Sequence, residues 1–332
     1  MSQLISVVIT AYNRRSFLLN ALKSIAMQTF KNYEVIVAKN FYDKFIDDFI
    51  KRRRFKEIFI DAKYYGEQVA AAIEEARGDI ISFLEDDDEF EQDKLYWVND
   101  AFTRHKAISF FHDTRKYIDR EGNMISLIND SKFRPLILFL EKITPHNDVI
   151  INPKRMDHVK ILFKHYGAIS TVSLMSIKTE CVKAKLKYLR KIHISVETFI
   201  PAVAGECGLL YHTSCRLTKY RIHDYNSSIA FNEVDELRRV LFNLRRAIND
   251  HELIVNEVTS KNNYLRLVVR FLQLQAKYAL STSKYRKIFN DVLIKPWEIY
   301  DLCRFECYHN YYKLLWCLIK RLARLMYVTT LR

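Results

Sequence analysis

Five consecutive acidic residues, Glu85-Asp86-Asp87-Asp88-Glu89, close the apolar run Ile80-Ile81-Ser82-Phe83-Leu84. This junction limits what the chain can become more than any other feature. A short run of β-branched, aliphatic and aromatic residues reads as a buried strand. The acids then stand where that strand leaves the sheet. Carboxylates crowded together resist ionisation unless positive charge sits among them. Hard divalent cations such as Mg²⁺ or Mn²⁺ meet that need through carboxylate oxygens, and share their remaining positions with substrate phosphates. The plain alternative is a solvated acidic turn.

The surrounding pattern decides how much weight the acids carry. Strand-like runs at residues 5–9, 34–38, 57–60 and 80–84 alternate with helical patterns over 17–27, a basic stretch ending at Arg54, and 67–76. Such alternation predicts an α/β fold with a mostly parallel sheet covered on both faces. Ligands of these sheets gather at the carboxyl ends of the strands. The loop Ala11-Tyr12-Asn13-Arg14 and the acid run both fall at such ends, which places them on one rim. All six glycines lie between Gly66 and Gly208. From residue 231 the chain reads as glycine-free helices, interrupted chiefly by Pro296. That shift divides it into an α/β domain over 1–230 and a basic all-helical region over 231–332.

Charge narrows the partners. The chain carries a net +14, and residues 231–332 hold 18 Lys and Arg against 10 Asp and Glu. A basic surface attracts nucleic acid, anionic lipid or phosphorylated ligands alike. No nucleic-acid recognition motif or aromatic RNA-binding pattern accompanies it, so nucleic acid is not an expected partner. A nucleotidyltransferase would want a glycine-rich N-terminal loop for its triphosphate, and the first glycine is Gly66. The six cysteines form no CxxC pair and are expected to be reduced, buried thiols. Cys303, Cys307 and His309 lack the second ligand pair of a structural metal site. The N-terminus enters a strand-like run directly, and no uncharged stretch reaches the roughly 18 apolar residues of a membrane span. A cytoplasmic chain is the expectation.

Projected at 100° per residue, 313–326 separates Lys313, Lys320, Arg321 and Arg324 from Leu314, Leu315, Leu318, Leu322, Leu325 and Met326. Such a helix either docks on its own domain or lies on anionic lipid at the inner face of the membrane.

Five stretches, in order over about residues 4–230, resemble the family 2 glycosyltransferases with a GT-A fold. They are Ser6-Val7-Val8-Ile9-Thr10-Ala11-Tyr12-Asn13-Arg14, Gln28-Thr29-Phe30-Lys31-Asn32-Tyr33-Glu34-Val35-Ile36-Val37, the segment 76–88 leading into a DXD-type motif, Ser195-Val196-Glu197, and Tyr220-Arg221-Ile222-His223 followed by Asn226-Ser227-Ser228. The resemblance implies a metal-dependent inverting transferase moving a sugar from a UDP- or GDP-sugar to a hydroxyl acceptor; the C-terminal helix, lying on lipid, makes that acceptor a lipid-linked or membrane-proximal glycan. It makes Asp87 the principal ligand of Mn²⁺ or Mg²⁺, with His223 as a further ligand. Thr10, Ala11, Tyr12, Asn13, Arg14, Asn40, Asp86 and Arg221 become donor-binding residues. Glu197 becomes the general base, with Asp224 and Glu206 next in line. Since removing one acid relieves repulsion, Asp87→Ala is expected to leave the fold intact.

The chain departs from the family pattern in three places. Lys39 and Asn40 stand where the family has two aspartates, the second of which reads the uracil ring. Val69 or a neighbour replaces an arginine. The family's Glu-Asp pair becomes Val196-Glu197 or Glu197-Thr198. A second reading is therefore a catalytically degenerate GT-A protein that binds nucleotide or glycan as a partner module.

Overall fold

The computed structural model describes residues 3–126, 133–223 and 234–282. The chain alternates strand and helix through its first third: β1 (Ile5–Ala11), α1 (Arg15–Ala26), β2 (Tyr33–Lys39), α2 (Lys44–Arg52), β3 (Lys56–Phe59), α3 (Tyr65–Glu74) and β4 (Ile80–Glu85). β5 (Glu89–Phe90), α4 (Lys94–Arg104), β6 (Ile108–Ile118), α5 (Arg134–Lys142) and β7 (Val149–Ile151) follow. Short helices α6 (Met156–Val159) and α7 (Ile161–Lys164) lead to β8 (Met175–Lys178), α8 (Thr179–Lys183) and α9 (Leu186–Leu189). The remainder is α10 (Val196–Cys207), β9 (Leu209–Arg221), α11 (Val234–Leu253), a π turn over Ile254–Val258, and α12 (Leu265–Thr282).

The sheet has nine strands in the order β3-β2-β1-β4-β8-β6-β9-β5, with β7 paired to β9. β3, β2, β1 and β4 run parallel, and β6 and β9 share their direction; β8, β7 and β5 run against it. The expected strands at the N-terminus all form, each within a residue or two of its sequence pattern. Every residue of β1 is buried, so its side chains must find apolar partners above and below. Ile5, Val7 and Ile9 point to one cluster, with Leu18, Leu22, Ile46 and Leu95. Val8 points to the other, with Ile36, Val69, Ile73, Phe199 and Val203. That period of two is what a strand buried on both faces requires.

The second cluster also takes in Ile254, Val255, Val258, Leu265, Val268 and Val269. The apolar core thus crosses the expected boundary at residue 230. The amphipathic segment 313–326, with Cys303, Cys307 and His309, lies outside the described residues, as do Asp224 and residues 226–228. Among the described cysteines Cys181 is buried, but Cys207 is exposed and Cys215 half-buried, which corrects the expectation of uniformly buried thiols. Among the described residues no helix is long and apolar enough to cross a membrane.

Gly66 occupies a close approach that the site depends on. Its amide donates to Ile192 O at 3.0 Å. A Cβ there would press on the carbonyl oxygens of Leu189 and Ile192, the latter at 2.7 Å. Backbone cannot retreat as a flexible side chain can. Gly66→Ala should therefore lower stability by about 1–3 kcal/mol, the usual scale of overpacking, seen as a lower urea midpoint with an unchanged slope.

Candidate active site

Strand register builds the rim. Thr10 of β1 pairs with Glu85 of β4, and Ala11 pairs with Lys39 of β2, so three loops leave the sheet side by side. On the far side Arg221, the last residue of β9, pairs with Ile118, and Glu89 of β5 pairs with Lys219. The loop between β4 and β5 is thereby held at both ends, and its acids turn inward. Asp86, Asp87 and Asp88 are all buried. The acid run is no solvated turn.

Cations from two distant segments surround it. Arg14 Nη1 donates to Asp87 Oδ2 at 2.6 Å, and Arg14 Nη2 lies 2.5 Å from Asp86 Oδ1. His223 Nε2 sits 3.0 Å from the same Asp87 Oδ2, its ring tilted against Phe17. Burial works against charge on Asp87, but His223 and Arg14 outweigh it and hold this carboxyl below the usual range. Asp86 and Asp88 go the other way: burial pushes both well up, with Arg14 opposing the shift at Asp86. Burial also opposes charge on Arg14, yet Asp87, Asp86 and Glu85 raise its pKa overall. The three neighbouring aspartates are thus unequal, and Asp87 is the one kept ionised.

Arg221 is placed differently from the sequence expectation of a cation facing the donor. It is fully buried. Its backbone N–H donates to Asp88 Oδ1, Nε to Asp87 O, Nη1 to the carbonyls of Asp119 and Arg120, and Nη2 to Glu89 Oε1. These bonds direct the guanidinium into the acidic loop, as a brace for its shape.

The departures from the family pattern are absorbed locally. Lys39 is buried, and its ammonium bridges Asp47 Oδ1 at 2.9 Å and Glu57 Oε1 at 2.7 Å. Its charge is thus neutralised by carboxylates from α2 and β3. Asn40 accepts from Asn13 N at 2.8 Å and donates to Asn13 Oδ1 at 3.1 Å. Asn13 has φ 55, a left-handed conformation that asparagine tolerates better than most residues, so the Asn13–Asn40 pair sets the turn after β1. Val69 lies in the core, while its neighbour Gln68 donates to Ala11 O and Ala38 O and ties the ends of β1 and β2. Tyr12 is half-exposed at the rim.

A second acidic group faces the first. Thr10 Oγ1 lies 3.4 Å from Tyr65 Oη, which donates to Glu85 Oε1 at 3.2 Å. Glu85 is pushed up to about 8 by burial, with Asp87, Glu197 and Asp86 adding to the shift against Arg14. Glu197, in the first turn of α10, is half-buried. Burial and the nearby charge of Asp250 push its carboxyl up to about 7. The tertiary fold therefore brings Glu197 within electrostatic reach of the β4 rim. Glu206 instead accepts from Ser260 N and Asn263 Nδ2 near the other end of α10. Sequence reading passed over Tyr65, Gln68 and Glu85 as site residues. Glu85 was visible as part of the acid run, and Gln68 as a polar residue among the apolar positions of α3; Tyr65 left no signal.

Could the rim hold a divalent cation? Asp86 Oδ2 is buried with no hydrogen-bond partner, and Asp87 is ionised beside His223. Among the described residues no three His, Cys, Asp or Glu side chains converge on one point. Magnesium needs no such cage, since one or two carboxylates with substrate phosphates suffice. The donor set, Asp87 Oδ2 and the unpartnered Asp86 Oδ2, fits that mode.

The mostly parallel sheet, with β5, β7 and β8 reversed and an acidic turn after β4 at its rim, matches the GT-A fold that the sequence resemblance implies. Comparison with solved structures agrees: Staphylococcus aureus TarS 1-349 in complex with UDP superposes with a TM-score of 0.53 at 14% identity, covering 91% of this chain and 79% of that one. Residues 6–164 match Glycosyl transferase family 2. An uncharacterized glycosyltransferase of Rickettsia bellii is 32% identical over 133 residues, 39% of this chain and 19% of that protein. One from Haemophilus influenzae is 31% identical over 136 residues, 39% of this chain and 54% of that protein. The alignments thus span between a fifth and about half of these relatives. Residues 6–164 are thus similar to the family 2 glycosyltransferases, and the chain shares its fold with TarS.

Proposed function

We propose that the protein transfers a sugar, with inversion, from a nucleotide-diphosphate sugar to a hydroxyl acceptor, using Asp87 and Glu197 in separate roles. The observation that carries this reading is the geometry of the rim: Asp87 lies between Arg14 at 2.6 Å and His223 at 3.0 Å, which favour its charged form, while burial raises Glu197 in the first turn of α10 to about 7. A leaving diphosphate needs fixed positive charge, and an attacking hydroxyl needs a base that is neither too weak nor already protonated. Asp87, with His223 and with Asp86 assisting, would hold Mn²⁺ or Mg²⁺, which supplies charge neutralisation to the departing diphosphate. Thr10, Ala11, Tyr12, Asn13 and Arg14 line the nucleotide side of the rim, with Asn40 behind them. Arg221 keeps the acidic loop in shape rather than meeting phosphate. Glu197 takes the acceptor proton as the acceptor oxygen bonds to the anomeric carbon. The bond from that carbon to the diphosphate breaks, and its electron pair leaves with the phosphate oxygen.

UDP- and GDP-sugars are the proposed donors; the S. aureus TarS structures solved with UDP and UDP-GlcNAc support a uridine donor at the level of the fold. The proposed acceptor is a lipid-linked or membrane-proximal glycan, reached by a basic C-terminal region resting on anionic lipid at the cytoplasmic face. A melting screen with nucleotides and nucleotide sugars, with Mn²⁺ or Mg²⁺, tests the donor site. A ligand at 100 times its Kd stabilises the fold by about 2.7 kcal/mol, a shift easily read. If no compound moves the melting temperature with either metal, the donor site assignment is wrong.

A further inference from the structure

The base proposed above is held by a residue from outside the family domain. Glu197 lies in the first turn of α10, whose N-cap Ser195 makes no side-chain cap hydrogen bond. The segment leading into that helix is fastened instead by Asp250 of α11, which is 1% exposed. Asp250 Oδ1 accepts from His193 N at 2.9 Å and lies 2.7 Å from His193 Nδ1. Its Oδ2 accepts from Ile194 N at 2.9 Å and Ser195 N at 3.0 Å. Three successive backbone amides thus converge on one carboxylate. A helix N-terminus presents unpaired N–H groups and favours negative charge, so a buried aspartate is chemically suited to the place. The neighbour His251 reaches the same helix, with Nε2 3.3 Å from Thr198 Oγ1.

We infer that Asp250 is a positioning residue for glycosyl transfer, clamping residues 193–195 so that the first turn of α10 presents Glu197 to the rim. The inference rests on Glu197 being the base. It gives the C-terminal helices a part in catalysis beyond any role at a surface. The charge of Asp250 also bears on Glu197, beside Glu85 from β4 and Tyr65 from α3, which face Glu197 across the rim.

The decisive comparison is between the full-length parent, Asp250→Asn and Asp250→Glu. A carboxamide turns an NH₂ toward amides that need an acceptor and removes the charge; glutamate keeps the charge but displaces it. Two readouts are taken. One is the ¹³C titration of the Glu197 carboxyl, assigned by its loss in Glu197→Gln. The other is kcat and KM for UDP release from UDP-N-acetylglucosamine with water as acceptor. In Asp250→Asn the Glu197 midpoint should fall, because a neighbouring negative charge has gone. The rate constant kcat should fall by up to about 10²-fold, the cost of a misplaced catalytic group, with KM unchanged. In Asp250→Glu the midpoint should stay near the parental value while kcat falls.

An unmoved midpoint or a parental kcat in Asp250→Asn overturns the inference. If Asp250→Asn fails to fold, Asp250→Glu decides, and parental kcat there overturns it. If neither folds, Asp250 is a folding determinant and the positioning role falls. Parental activity in Glu197→Gln would instead sink the base assignment. A parent that releases no UDP rules out UDP-N-acetylglucosamine as a donor hydrolysed at this site, and the Glu197 titration then decides the clamp alone.

Discussion

Glu197→Gln should lower transfer by about 10²–10⁴-fold, the range attributed to a general base, with nucleotide-sugar binding retained. Glutamine preserves the shape of the side chain and cannot take a proton. The pH profile sharpens the expectation. Burial and Asp250 raise the Glu197 carboxyl to about 7, and a base works only when deprotonated. Turnover in the parent should therefore rise with pH through about 7 and level off above it. In the glutamine variant that rise should vanish along with the rate. Initial-rate measurements across pH, with donor affinity followed by calorimetry, provide the check. A variant that turns over at the parental rate places the base elsewhere; one that loses donor binding makes Glu197 a binding residue.

Asp87→Asn should abolish metal-dependent nucleotide binding, because the rim loses the carboxylate whose charged form His223 and Arg14 favour. The structure changes what this substitution costs. Sequence reasoning treated Asp87 as one acid in a repulsive cluster whose removal leaves the fold untouched. Asp87 instead meets Arg14 at 2.6 Å and His223 at 3.0 Å, so its loss takes the ion-pair partner of one and a close partner of the other. A buried group left without its partner costs about 1–3 kcal/mol. Asp87→Asn should thus melt below the parent without ligand, and its melting should no longer respond to nucleotide with Mn²⁺. Equal response in variant and parent would move the metal ligand to another residue.

Much of the site was legible in the sequence because it lies in short local patterns. An apolar run followed by acids announces both a strand and what stands at its end, and strand–helix alternation puts the Ala11–Arg14 loop on the same rim. Asn40, Lys39 and Arg221 were legible as positions but not as roles. A residue's place in a motif does not say which way its donors point. Lys39 is absorbed by Asp47 and Glu57, and Arg221 by the carbonyls and acids of the loop it braces. The partners of Arg221 lie more than 100 residues away, and nothing in the local pattern announces those of either residue.

Chain order and the two periodicities of the side chains determined the class of fold, the order of the strands at the N-terminus and the presence of an acidic rim. Local sterics and burial act over a few residues, so a few residues reveal them. Which aspartate keeps its charge, and how Glu197 comes to bear on that rim, only the tertiary structure decided. Charge in a buried site depends on groups from the loop after β1, the end of β9 and α11, which span more than 200 residues of chain and meet only when the core that joins them has formed.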